Sequence, residues 1–198
     1  MFSLDSRPPG TSDAALVTPV LGALVECGPL AVVLIDGPSG AGKSTLADEL
    51  VAGWPGLLRP TLVRLDDIYP GWQGLDAAIE HVTNHVLSPR QEGSPAAWQR
   101  YDWALGEPTE WHPVDPEHPL IVEGCGALAR ANTGLSDIRI WLAADDRVRK
   151  RRALARDGET FGVHWDEWQA EWESYRLRET PERCATLRLV GTEYARLG

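Results

Sequence analysis

Residues 31–45 read AVVLIDGPSGAGKST and contain the strongest structural signal in the chain. The apolar run over residues 31–36 predicts a buried β-strand, and residues 43–52 predict a helix that ends before Gly53. Between them, residues 37–44 match the pattern G-x-x-x-x-G-K-[ST], the phosphate-binding loop or P-loop. A strand that enters this loop and a helix that leaves it are the setting that triphosphate binding requires.

Each part of the P-loop has a physical role in holding phosphate. Glycines allow the sharp turn that brings backbone N–H groups against phosphate oxygens, and the following helix adds unpaired N–H groups. Lys43 is expected to bridge the β- and γ-phosphates, and Ser44 to place its hydroxyl on Mg²⁺. A glycine-rich turn without a ligand is the alternative, which the complete pattern disfavours. The predicted nucleotide-binding residues of the loop are Gly37, Pro38, Ser39, Gly40, Ala41, Gly42, Lys43, Ser44 and Thr45.

The composition is that of an ordinary globular protein, with 43% hydrophobic and 24% charged residues among 198. A net charge of −10 argues against nucleic acid or an anionic membrane as the main partner. The three cysteines are widely spaced and form neither a disulfide framework nor a zinc pattern. No signal-peptide pattern or membrane-length apolar run is present, so we expect a cytoplasmic protein and leave its oligomeric state open.

Short apolar runs alternate with helical stretches along the chain. Strands are predicted over residues 31–36, 61–65, 120–123, 138–143 and 186–190. This alternation predicts an α/β fold of the P-loop NTPase kind, a three-layer sandwich with a five-stranded parallel sheet. We expect a flexible tail over residues 1–14 and one domain over 15–198. Within it, an insert at about 70–118 should bind the second substrate, and a helical lid should cover about 147–164.

Two of the predicted strands end in acidic residues. Asp66 and Asp67 follow the strand at 61–65, and Glu123 ends the strand at 120–123. Ligands of open α/β sheets bind beyond the carboxyl ends of the strands, so these carboxylates should face the P-loop. Asp66 could take a proton from an attacking hydroxyl, and both Asp66 and Glu123 could hold Mg²⁺. The alternatives are local: a cap for the next turn, or a bond to neighbouring backbone.

Six cationic residues lie within residues 147–156 of this acidic chain. In a helix, Arg149, Arg152 and Arg156 would share one face, which is unfavourable unless a polyanion lies opposite. We predict that Arg149 and Arg152 bind the triphosphate and that Arg152 and Arg156 stabilise the transferring phosphoryl group. A solvated face neutralised by nearby acids accounts for the other arginines. Thr192, after the last strand, is predicted to line the adenine pocket.

Aromatic and histidine residues raise further candidates. Trp165, Trp168 and Trp172 recur at helical spacing, and we interpret this stripe as packing rather than a base-stacking platform. His81 and His85 lie four apart on the helix predicted around residues 75–86. No third metal ligand is evident, so we expect a solvated surface there.

The order of the motifs resembles the uridine kinase and nicotinamide riboside kinase family. The matching elements are the P-loop, Asp66-Asp67-Ile68-Tyr69, Tyr101-Asp102, Ile121-Val122-Glu123-Gly124 and the arginine helix, over roughly residues 31–192. In that family, the acid that opens the Asp-x-aromatic-aromatic element is the catalytic base. It maps onto Asp66, although Ile68 replaces one aromatic, and the ribose-binding acid maps onto Asp102. The resemblance implies ATP-dependent phosphorylation of a nucleoside, with acceptor contacts from Asp66, Tyr69, Arg100, Asp102 and Glu123.

Two other functions stay open. The P-loop wording is similar to that of cytidylate kinases, so a nucleoside monophosphate kinase with Arg64 and Arg100 on the acceptor phosphate is one. The downstream acids favour the nucleoside, because a monophosphate kinase needs no dedicated base. The other is a nucleotide-binding regulatory protein without an acceptor. A signalling GTPase is disfavoured, since no Asn-Lys-x-Asp element is present.

Overall fold

The structure is a computed structural model that describes residues 14–191, with residues 14, 15, 157, 159 and 160 described by their backbone alone. The predicted tail and Thr192 lie outside the described residues. The strands are β1 (Val32–Asp36), β2 (Thr61–Arg64), β3 (Ala96–Asp102), β4 (Glu107–Val114), β5 (Leu120–Glu123), β6 (Ile138–Ala143) and β7 (Leu187–Val190). The helices are α1 (Ala14–Cys27), α2 (Lys43–Ala52), α3 (Leu75–Val82), α4 (Ser88–Gln91), α5 (Arg130–Thr133), α6 (Asp146–Glu179) and α7 (Pro181–Cys184).

The main sheet has five parallel strands in the order β2-β5-β1-β6-β7, which confirms the predicted α/β class. Every residue of β1 and β5 is buried because helices cover both faces of the sheet. In the strand register Glu123 pairs with Ile35 on one side and with Arg64 on the other. This pairing brings the carboxyl ends of β2 and β5 next to the start of the P-loop.

Two hydrophobic layers enclose the sheet. One is formed under α1 and α2 by residues such as Val20, Leu46 and Leu50. The other is formed under α3 and α6, where the tryptophan stripe is buried, with Trp165, Trp168 and Trp172 each 5% exposed. The stripe is therefore packing, as predicted. Within residues 14–191 no helix is both long and apolar enough to cross a membrane.

The segment that the sequence left unassigned is an antiparallel β-hairpin of β3 and β4. Its composition obscured it because β4 contains Pro108 and Pro113, and proline cannot donate to a sheet. A two-stranded hairpin has only edge strands, so each proline can occupy an edge position. The helix predicted around 75–86 continues through a π-turn at Thr83–Leu87 into α4.

Helix α6 is broken at Gly158, whose backbone has φ 70° and ψ −157°. This conformation is essentially restricted to glycine. Arg149 donates to Gln169 Oε1 at 2.9 Å, although a straight helix would separate two residues twenty apart by about 30 Å. The helix therefore folds back on itself as a first arm (residues 146–157) and a second arm (residues 159–179). The predicted lid, 147–164, spans the first arm and the start of the second. Both arms contact the P-loop: the first lies against Gly40, and the second donates the Trp168 indole N–H to Ser39 Oγ at 2.8 Å.

The hairpin docks onto the α3 segment through a histidine. His81 Nε2 accepts a hydrogen bond from the Gln99 backbone N–H at 3.0 Å, and the Trp111 ring stacks on His81 at 5.5 Å. His81 is half-buried whereas His85 is exposed. The expectation of a solvated surface is thus wrong for His81, because the hairpin that covers it was not predicted.

Stability should fall on acidification as His81 is protonated. Burial, and then His85, lower the pKa of His81 below 6.5. Since the unfolded chain binds this proton more readily, the contribution of His81 is complete above about pH 6.5 and is lost as the pH falls below it. Thermal unfolding at pH 7.5 and 5.5 measures the loss. His81→Gln should reduce the difference, whereas His118→Gln, whose ring contacts Arg59 and Asp115, should not.

Candidate active site

The P-loop turns sharply between β1 and α2 and carries positive φ at Gly37, Gly40 and Gly42. A Cβ atom at Gly40 would lie 2.0 Å from the carbonyl oxygen of Arg149. The first arm of α6 is therefore in direct contact with the loop. This close approach gives Gly40 a role that the sequence motif, in which its position can be any residue, does not specify.

The P-loop, the ends of β2 and β5, and the first arm enclose one cleft, with a cavity volume of about 130 Å³. Most of the predicted site residues meet there although they are far apart in the sequence. The lining residues are Ser39, Gly40, Gly42, Lys43, Ser44, Thr45, Asp66, Glu123, Arg152, Ala153 and Arg156. The remaining loop residues, Gly37, Pro38 and Ala41, are buried.

Lys43 lies at the floor of this cleft and is 8% exposed. Its Nζ donates to the carbonyl oxygens of Gly37 at 3.0 Å and Pro38 at 3.2 Å. Burial alone would lower the pKa of Lys43, but the acidic groups around it raise the pKa overall. Those groups are Cys125, Glu123, Asp66 and Asp36. The ammonium therefore stays charged where a triphosphate would bind.

Glu123 is 2% exposed and is held by an arginine between two acids. Arg64 Nη1 lies 3.0 Å from Glu123 Oε1, and Arg64 Nη2 lies 2.5 Å from Asp48 Oδ1. Burial and then Asp66 raise the pKa of Glu123, against the opposing effects of Lys43, Arg64 and Ser44. The sequence did not reveal this arrangement, in which α2, β2 and β5 together fix the Glu123 carboxylate.

Asp66 reaches the cleft from the short 3₁₀ turn Leu65–Asp67 that follows β2. Its carboxylate lies 3.7 Å from Arg156 Nη2 of the first arm, and its backbone carbonyl accepts the Trp103 indole N–H at 3.0 Å. Asp67 does not line the cleft, and burial, followed by Asp66, raises its pKa. Of the two neighbouring acids, Asp66 is thus the one placed to react.

A buried aspartate below the P-loop was missed by sequence reasoning. Asp36 is fully buried and accepts hydrogen bonds from the Gly37 N–H at 2.6 Å, the Leu128 N–H at 2.9 Å and the Tyr175 hydroxyl at 2.7 Å. Burial raises the pKa of Asp36, although these donors oppose the rise. Asp36 thereby joins the P-loop to the loop after β5 and to the second arm.

Arg149 does not point into the cleft, contrary to the prediction. Its guanidinium lies 5.5 Å from the ring centroids of both Trp165 and Trp172, and its Nε donates to Asp146 at 2.7 Å. The side chain is 5% exposed. The physical reason is the break at Gly158, which folds the second arm over Arg149 and leaves only Arg152 and Arg156 facing the P-loop.

Arg149→Ala should therefore lower stability rather than remove a phosphate ligand. The substitution removes two cation–π contacts and the hydrogen bonds to Asp146 and Gln169, a loss of about 2–4 kcal/mol. The exposed Arg147 on the same arm is the matched control, and Arg147→Ala should stay within about 0.5 kcal/mol. Urea unfolding of both variants measures the difference; equal midpoints would contradict the prediction.

Tyr69, predicted to contact the acceptor, belongs to the core. It is 2% exposed, its hydroxyl donates to the Cys125 carbonyl at 2.8 Å, and its ring packs against Trp168 at 4.8 Å. The chain turns after Asp66, so the aromatic side chain three residues later points beneath the site.

Arg100 and Asp102, the other predicted acceptor residues, lie on the hairpin and not in the cleft lining. Arg100 pairs with Glu110 at 2.6 Å and with Asp102 at 3.2 Å. Asp102 Oδ1 also accepts the N–H groups of Ala104 and Leu105, which lower its pKa together with Arg100. Both side chains thus stabilise the hairpin turn in this structure.

The cleft offers oxygen ligands that suit magnesium. Ser44 donates a hydrogen bond to Glu123, and the Asp66 carboxylate lines the same cavity. Mg²⁺ is usually held by one or two carboxylates together with phosphate oxygens, so this donor set fits it. Among residues 14–191, His, Cys, Asp and Glu form no group of three or more that could hold a metal by itself.

No protein-family model and no curated protein sequence matches the chain. Solved structures do match it. A possible uridine kinase from Bacillus stearothermophilus is similar with a TM-score of 0.64 at 15% identity, over 88% of this chain and 97% of that one. A protein described provisionally as a fructose transport system kinase, from Silicibacter sp. TM1040, gives a TM-score of 0.53 at 21% identity, over 90% and 99%. The chain therefore has the P-loop kinase fold, which confirms the predicted fold class.

Proposed function

We propose that this protein is an ATP- and Mg²⁺-dependent kinase that phosphorylates a hydroxyl group of a nucleoside-like small molecule. One observation carries the proposal. The Asp66 carboxylate lines the same cleft as Lys43 and Ser44 of the P-loop and as Arg152 and Arg156 of the first arm. A proton acceptor, a phosphate-binding loop and cations for the transferring group are the parts that phosphoryl transfer to an alcohol needs.

The reaction follows from the roles of these side chains. Asp66 accepts the proton of the acceptor hydroxyl, and the oxygen of that hydroxyl attacks the γ-phosphorus of ATP. The bond from that phosphorus to the β,γ-bridging oxygen breaks, and its electron pair leaves with ADP. Lys43, Arg152 and Arg156 stabilise the negative charge on the phosphate oxygens. Ser44, Glu123 and Asp66 would hold Mg²⁺, which neutralises charge on the β- and γ-phosphates.

The environment of two arginines favours a nucleoside over a nucleoside monophosphate. Arg64 and Arg100 were the candidates for binding an acceptor phosphate. Arg64 is paired with Glu123 and Asp48, and Arg100 with Glu110 and Asp102. Because two carboxylates already neutralise each guanidinium, a further anion would have to displace them. This supports an acceptor without a phosphate group.

We propose that the protein is located in the cytoplasm. All three cysteines are free, as a reducing compartment favours. The net charge of −10 supports small molecules rather than nucleic acid as the binding partners.

We propose Arg100 and Asp102 as acceptor ligands only in a conformation in which the ion pair between them is broken.

An acceptor panel tests the proposal. ADP release is measured with ATP and Mg²⁺ in the presence of uridine, cytidine, nicotinamide riboside, CMP, dCMP or fructose. Stimulation by a nucleoside supports the proposal, whereas stimulation by CMP or dCMP alone would assign a monophosphate kinase. Stimulation by fructose alone would keep the kinase and reject the nucleoside. ATP binding without stimulation by any of a broad set of alcohols would favour the regulatory protein.

A further inference from the structure

The tip of the hairpin contacts the main chain of the proposed base. Trp103, directly after β3, donates its indole N–H to the Asp66 carbonyl oxygen at 3.0 Å, across 37 residues of sequence. Tryptophan can only donate through this group, so the contact fixes which edge of the ring meets the turn. The ring is 38% exposed, and its position therefore does not follow from burial alone.

The same ring contacts a set of aromatic side chains that ends on α6. Trp103 lies 4.7 Å from Trp72, and Trp72 lies 5.4 Å from Phe161 and 4.7 Å from His164. We call these four side chains the aromatic bridge. It joins the hairpin, the segment after Asp66 and the second arm.

The Asp66 side chain is exposed although its neighbours in the turn, Leu65, Ile68 and Tyr69, are buried. The turn is a single 3₁₀ turn, closed by the N–H groups of Ile68 and Tyr69, both of which donate to the Leu65 carbonyl. The Asp66 side chain is 53% exposed. The position of this exposed carboxylate therefore depends on the backbone that carries it, and a misplacement of about 1 Å can lower a rate about 100-fold.

We infer that Trp103 is a positioning residue, which holds the Asp66 backbone so that the carboxylate faces the P-loop. The inference rests on the proposed function, since it assigns Trp103 through the role of Asp66. The aromatic bridge also holds Trp103, because the Trp72 ring packs against it at 4.7 Å. The hairpin and the base are consequently fixed to each other when the acceptor binds between them and the P-loop.

The experiment compares Trp103→Phe with Trp111→Phe. Phe keeps an aromatic ring but has no N–H donor. Trp111 is the matched control: it is on the same hairpin, is 49% exposed, and stacks on His81 instead of contacting Asp66. With the best acceptor of the panel, Trp103→Phe should lower kcat about 5- to 20-fold. Its KM for ATP and its nucleotide-binding stoichiometry should stay within about twofold of wild type, and Trp111→Phe should change none of these values by more than about twofold.

Hydrogen exchange supplies a readout that does not depend on activity. In Trp103→Phe the amides of Ile68 and Tyr69 should exchange at least about threefold faster than in wild type, while Trp111→Phe should leave them unchanged. Unchanged kcat and unchanged exchange in Trp103→Phe would overturn the inference. Equal losses in both variants would also overturn it, because they would indicate general weakening of the hairpin. A wild-type protein that no acceptor stimulates would refute the proposed function instead, and the exchange comparison would still decide whether Trp103 positions the turn.

Discussion

Asp66→Asn is expected to lower acceptor-dependent ADP release at least about 100-fold while nucleotide binding persists. Asparagine keeps the shape of the side chain but cannot accept the proton of the attacking hydroxyl, and general base catalysis contributes about 10²–10⁴-fold. The P-loop and the other two proposed Mg²⁺ ligands, Ser44 and Glu123, are unchanged, and the asparagine amide oxygen can still face the ion, so nucleotide binding should persist. Steady-state assays give the rate, and isothermal titration with a non-hydrolysable ATP analogue gives the affinity.

The neighbouring acid provides the control for this substitution. Asp67 does not line the cleft and is half-buried. Asp67→Asn removes one negative charge from the same turn, so it reports any effect of local charge. We expect a change of less than about tenfold in kcat. Full activity of Asp66→Asn, or an equal loss in both variants, would remove Asp66 as the base.

Gly40→Ala should have the second large effect, because the first arm lies on this glycine. The added Cβ would be 2.0 Å from the Arg149 carbonyl oxygen, and neither atom can rotate away, because the backbone fixes the position of both. Either the P-loop or the first arm must therefore move, which takes Arg152 and Arg156 away from the loop. Loss of such preorganised charge stabilisation costs about 10²–10³-fold in kcat. Acceptor-dependent ADP release measures the loss.

Gly71→Ala is the control that separates the steric clash at Gly40 from the backbone strain of an alanine with positive φ. Gly40 has φ 79° and Gly71 has φ 84°, so an alanine is strained at both positions by about 1–3 kcal/mol. A Cβ at Gly71 meets no atom within 4 Å. Gly71→Ala should therefore lower the thermal midpoint but keep kcat within about threefold of wild type. If Gly40→Ala also kept kcat within about threefold of wild type, the contact between the first arm and the loop would not be required for catalysis.

The bounds of most strands and of helix α2 were predictable, because they depend on residues that are close together in the sequence. The strands β5 and β6 and helix α2 have the predicted bounds, and β1, β2 and β7 differ by one residue at one end. The reason is that a buried parallel strand is a continuous apolar run whose limits are marked by polar residues, glycine or proline. The hairpin was the exception, since Pro108 and Pro113 lie within a strand whose pairing the local pattern does not show.

The sequence predicted those residues of the candidate site that lie at the carboxyl ends of strands. Asp66 follows one apolar strand and Glu123 ends another, and parallel pairing of β2, β5 and β1 brings them to the P-loop. Tyr69 and Arg149 were misplaced for a common reason. The helical or turn geometry of each segment was predicted, but the element that packs against it was not, and that element buries the side chain.

The chain's local patterns alone determined the P-loop, the parallel sheet and the acids beside it, because strand, turn and helix preferences act over a few residues. The long-range contacts came only from the folded structure. Tyr175 reaches Asp36 across 139 residues, Trp168 donates to Ser39 across 129, and Trp103 reaches Asp66 across 37. Such pairs are set by the fold-back of α6 at Gly158 and by the docking of the hairpin. A single sequence carries no periodicity that links residues at these separations, so packing in three dimensions selects them.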